Sequence, residues 1–86
     1  MTNRPNTAIT GTVPATRSGA QRKLKRIREA ERDLRSQRDH ARQVLIGTSQ
    51  ADGAGAARVF ARLEAIRAET ERLRMLHDRI TEEFEA

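Results

Sequence analysis

From Leu24 to Phe84 the chain carries two series of residues spaced alternately by three and four. The first series is Leu24, Ile27, Glu31, Leu34, Arg38, Ala41 and Leu45. The second is Val59, Leu63, Ile66, Thr70, Leu73, His77, Ile80 and Phe84. Both keep the seven-residue a/d repeat of a helical seam, interrupted only at Glu31, Arg38, Thr70 and His77. Folding the chain back at Asp52 sets Leu45 opposite Val59, Ala41 opposite Leu63, Leu34 opposite Thr70, Ile27 opposite His77 and Leu24 opposite Ile80. Every such pair joins an a position to a d position, which an antiparallel seam requires. One register satisfies both series, so the expected fold is all-α: an antiparallel two-helix coiled-coil hairpin with an extended N-terminal arm.

The boundaries follow from local chemistry. Residues 1–17 are rich in Thr, contain Pro5 and Pro14, and lack a helical period, so they are expected to be an extended or disordered arm. The run Ala8-Ile9-Thr10-Gly11-Thr12-Val13 suits docking on a partner, for example by adding a strand to a sheet edge. Helix 1 is expected over 18–46, started by a Ser18/Gln21 capping box and stopped by Gly47 in a left-handed conformation. Residues 47–53 read as a turn, with Ser49 or Asp52 capping helix 2 over 54–86, where Gly53 and Gly55 soften the first turn.

A single apolar stripe per helix, with Glu31 and Arg38 on it, buries too little to offset the ordering of two long helices. The hairpin is therefore expected to be completed by self-association or by a larger assembly. The positions flanking the seam suggest how. One edge carries Arg28, Arg35 and Arg42 on helix 1, opposite Arg74, Arg67 and Phe60 on helix 2. The other carries Lys23, Ala30, Gln37 and Val44 opposite Glu83, Leu76, Glu69 and Arg62. The second edge is smaller and more apolar, so Ala30, Val44 and Leu76 are the expected association edge.

The arginine edge, extended by Arg22, Lys23, Lys25 and Arg26, is the expected edge for an anionic partner. Arg suits that task because its planar fork makes paired bonds to carboxylate or phosphate. Charge is distributed accordingly. Residues 1–46 hold eleven Lys/Arg against four acids, a net of +7, and residues 47–86 hold six Arg against eight acids, a net of −2. The competing reading is a solvated surface whose arginines pair with Glu31, Asp39, Glu64, Glu71 and Asp78 three or four residues away. Phe60 and Phe84 are the only aromatics, so there is no platform for stacking single-stranded bases. Nucleic-acid binding, if it is the function, would read the phosphate backbone.

Catalytic, cofactor and metal sites are not expected. The chain has no Cys, His77 falls on the seam opposite Ile27 as a packing residue, and His40 falls on the outer face. Gly53-Ala-Gly55 lacks the preceding strand of a phosphate loop, and Glu82 and Glu83 lie at a frayed end without a cleft. There is no membrane-length apolar run and no secretory leader pattern. The reading is a cytoplasmic, non-enzymatic structural or adaptor protein, with a protein partner or self-association and no membrane or small-molecule substrate. The alternative is a nucleic-acid-binding accessory protein.

Overall fold

The computed structural model describes residues 7–48 and 53–85. Two helices, α1 (Arg17–Gly47) and α2 (Gly53–Glu85), pack along their lengths into an all-α helical hairpin. At 1.5 Å per residue each helix is roughly 45–50 Å long, which accounts for the 53 × 20 × 18 Å extents of the molecule. The heptad spacing brings one stripe of each helix inward. Leu24, Ile27, Leu34 and Ala41 of α1 are buried, as are Ile66, Leu73 and Ile80 of α2, and Ile27, Leu73 and Ile80 are fully enclosed. Burial loosens toward the turn, where Leu45, Val59 and Leu63 are half-buried, and at the open end, where Phe84 is.

The polar interruptions of the seam turn outward or satisfy themselves locally. Arg38 reaches Asp39 at 3.2 Å, and the Thr70 hydroxyl donates to the Ile66 carbonyl at 2.8 Å. Glu31 and His77 are half-buried, and His77 Nδ1 lies 3.6 Å from an Asp78 carboxylate oxygen.

The helix ends differ from the sequence expectation. The cap of α1 is Thr16, not Ser18: its hydroxyl accepts from the Gly19 amide at 3.1 Å, and its carbonyl accepts from Ala20 at 2.9 Å. Gly19 makes this closure feasible, because a Cβ there would lie 3.0 Å from the Thr16 hydroxyl oxygen and 3.3 Å from Pro14 Cβ. At the other end Gly47 stays helical and no left-handed glycine is used. Thr48 replaces it: its amide donates to the Leu45 carbonyl at 3.2 Å and its hydroxyl to the Val44 carbonyl at 2.7 Å. Two terminal carbonyls are thereby satisfied without a left-handed turn. α2 begins at Gly53, one residue before the expected start, and the expected caps Ser49 and Asp52 lie outside the described residues.

The arm packs on its own hairpin. Residues 7–16 form neither strand nor helix; Ile9 is buried against the hairpin, Thr7 and Pro14 are half-buried, and the others are exposed. Ile9 is 5% exposed and belongs to the same buried cluster as Leu73 and Leu76, with Ala30 packed against it. The expected association edge is consequently not open along its middle, since Leu76 is buried at 2% exposure and Ala30 is half-buried, while Val44 remains exposed. Among the described residues no helix is long and apolar enough to cross a membrane.

Candidate anionic-partner edge

The heptad places Arg28, Arg35 and Arg42 at one flank of α1, each about 10 Å from the next along the axis. Arg67 and Arg74 stand at the facing flank of α2 with the same interval, and all five are exposed. Where the rows approach one another they enclose a shallow groove of about 370 Å³. Arg38, Arg42, Arg67 and Arg74 line it together with Glu71, and the more buried Leu63, Ile66 and Thr70 lie beneath. Phe60, on the same flank, is 56% exposed.

The arginines are only partly neutralised from within. Among the described residues, carboxylates within 4.0 Å pair Arg38 with Asp39, Arg67 with Glu71 and Arg72 with Glu69. The Arg67–Glu71 pair is long, at 3.5 Å, and both side chains are more than 60% exposed, so it restrains Arg67 weakly. Arg28, Arg35, Arg42 and Arg74 have no carboxylate at that distance among the described residues. Of the competing reading, a solvated surface with arginines paired three or four residues away, the pairing is present at Arg67 with Glu71 and all five edge arginines are exposed.

Of the nine basic residues expected on this edge, the structure brings Arg42, Arg67 and Arg74 together. Arg28, Arg35 and Lys25 are exposed on α1 outside the groove lining. Arg22, Lys23 and Arg26 instead line a cavity of about 360 Å³ with Ala8, Thr10 and Pro14 of the arm. The ammonium of Lys23 donates to the Thr10 hydroxyl at 2.9 Å and to the Thr12 carbonyl, so Lys23 is an arm-holding residue. Partial burial there, with Arg26 and Arg72 nearby, lowers its pKa. Arg38 joins the groove as well: its a position assigns it to the seam, but its long side chain passes the buried Leu34, Ala41 and Ile66 and emerges into the groove.

The opposite edge is a latch. Glu69 accepts from the Arg72 guanidinium and, at 3.1 Å, from the Thr7 hydroxyl. The Arg72 hydrogen bond is the main cause that holds the Glu69 carboxyl below the usual range, with Thr7 assisting and burial opposing. The same bond raises the Arg72 guanidinium above its ordinary value.

Among the described residues no three His, Asp or Glu side chains are grouped to hold a metal ion. The arrangement offers charge, a shallow apolar trough and rigid helical spacing, all of which are means of binding. No protein-family model, curated protein or solved structure matches this chain.

Proposed function

We propose that the protein is a non-enzymatic adaptor whose helical hairpin docks by its arginine edge onto an acidic protein surface of a larger assembly. One observation carries this reading. The arm occupies the edge at Ala30 and Leu76, while the groove lined by Arg38, Arg42, Arg67 and Arg74 stays open. Arginine forks there are poised for carboxylates, and half-buried Leu63 with exposed Phe60 on the same flank supplies apolar area that a purely electrostatic contact leaves unused.

A second reading, backbone binding of nucleic acid, is favoured by the exposed Arg22, Lys25, Arg26 and Arg28 on the first turns of α1. Size-exclusion chromatography with light scattering and 260 nm absorbance separates the two. The chain has no Trp or Tyr, so its own ultraviolet signal is faint and any bound nucleic acid dominates the trace. The adaptor reading expects a monomer without 260 nm signal that binds polyglutamate in an Arg42- and Arg74-dependent way. A nuclease-sensitive 260 nm peak that co-elutes with the protein supports the second reading, and a stable dimer points to self-association.

A further inference from the structure

We infer that the arginine groove receives an acidic amphipathic helix of a partner protein, laid along the hairpin as a third helix. The inference rests on the arginine edge being the docking face and names what docks there.

Periodicity is the first argument. On the α2 lip Arg67 and Arg74 are seven residues apart, about 10 Å along the axis, and Arg38 and Arg42 stand on the α1 lip one turn apart. A helix laid parallel to the groove repeats at the same interval. Acids at its e and g positions would meet Arg42 on one lip and Arg67 and Arg74 on the other, in register over successive turns. Its apolar stripe would fall on half-buried Leu63 and on exposed Phe60 at one end of the contact, while Ile66 beneath is already enclosed by the seam.

The molecule already shows that an edge of this hairpin accepts an apolar insert. On the opposite side Ile9 enters the core cluster beside Leu76, and Lys23, Glu69 and Arg72 bind the polar atoms around it. The arginine edge likewise sets a charged rim over a partly apolar floor, of which half-buried Leu63 is the accessible part.

Charge decides between occupants. A second copy placed edge to edge would set arginine rows against each other, so the chain itself is a poor filler. A duplex phosphate backbone would satisfy the rim and leave Phe60 and the open side of Leu63 uncovered, whereas an acidic amphipathic helix satisfies both.

The test uses the full chain and four dye-labelled probes read by fluorescence anisotropy. They are a three-heptad peptide with Leu at a and d and Glu at e and g, its scrambled sequence, polyglutamate, and a short DNA duplex. Glutamates at both flanks keep the patterned peptide from pairing with itself. At about 0.15 M salt the patterned peptide should bind at least about tenfold tighter than the scrambled one, gaining helical circular dichroism as it binds. Phe60→Ser should weaken the patterned peptide several-fold and leave polyglutamate unchanged. Arg42→Glu with Arg74→Glu should abolish binding of the Glu peptide, and a Lys-for-Glu peptide should recover it on that variant, which shows that the variant is folded.

Equal binding of patterned and scrambled peptides, or indifference to Phe60→Ser, overturns the third helix while leaving an acid-binding edge. Displacement of the patterned peptide by the duplex overturns it in favour of nucleic acid. Failure of every acidic probe to bind overturns both the helix and the docking reading beneath it.

Discussion

Thr7 donates its hydroxyl proton to Glu69 at 3.1 Å, tying the arm to α2 across 62 residues of chain. The contact carries a pH dependence whose direction follows from its charges. Arg72 and Thr7 hold the Glu69 carboxyl below its ordinary value of 4.5, so the folded state favours the carboxylate. Its contribution is complete above the unfolded value and is lost as pH falls through the lower folded one. Arm release should therefore be steepest below pH 4.5. Methyl NMR of Ile9 between pH 7 and pH 3 reads it directly. Other carboxylates titrate over the same range, so the comparison that matters is with Glu69→Gln. That variant should show a loosened arm already at pH 7 and a smaller further change on acidification. An acid response of Ile9 as large in the variant as in the parent would remove Glu69 from the account.

Ala8 sits between the two anchors with φ of 58°, in the left-handed region. The turn there lets Thr7 face Glu69 while Ile9 enters the core. An L-residue in this conformation costs roughly 1–2 kcal/mol, and glycine adopts it freely but adds about 0.5–1 kcal/mol of unfolded-state entropy. Ala8→Gly should thus be neutral to stabilising, by about 0.5 kcal/mol. Urea unfolding followed by circular dichroism measures it. A clear loss of stability would show that the Ala8 methyl makes contacts worth more than the strain.

The two candidate caps of α1 can be separated by a pair of substitutions. Thr16→Ala removes the acceptor for the Gly19 amide and should cost about 1 kcal/mol. Ser18 lies inside the first turn and is exposed, so Ser18→Ala should change stability little, or raise it slightly through helix propensity. The reverse order of effects in thermal unfolding would restore Ser18 as the cap.

That pair also marks where the sequence ceased to be legible. The seam was readable because the a/d spacing and the antiparallel register constrain one another, and Ile27, Leu34, Leu73 and Ile80 are buried accordingly. Capping was not, because Thr16 and Ser18 are both chemically competent. Gly19 eases the choice of Thr16, because a Cβ there would crowd the Thr16 hydroxyl and Pro14 by a few tenths of an ångström. Leu76 and Ala30 were readable as an apolar edge but not as a covered one. Their cover is Ile9, an isolated apolar residue in a threonine-rich arm, and periodicity is silent about such a residue. Of the arginine edge, the e-position rows were legible. The sorting of Lys23 to the arm and of Arg38 into the groove depends on side-chain reach, which the heptad does not encode.

The cluster shared by Ile9 and Leu76 gives the most direct test of whether the arm belongs to the fold. Leu76 is off the seam yet as buried as the seam residues, and Ile9 joins its cluster. Truncating a buried Leu or Ile to Ala costs about 2–5 kcal/mol, with the lower end appropriate at an edge covered by ten residues of arm. Ile9→Ala and Leu76→Ala should each destabilise by about 2 kcal/mol. Together they should cost less than the sum, by about 1 kcal/mol, because removing either side chain already uncovers the other. Leu73 belongs to the same cluster but lies on the seam between the helices, so Leu73→Ala should couple to Ile9→Ala more weakly. Strict additivity in urea unfolding would mean that Ile9 and Leu76 do not couple, and no measurable cost of Ile9→Ala would mean that the arm lies on the hairpin without stabilising it. The Ala30–Leu76 edge would then be free to exchange its cover for a partner.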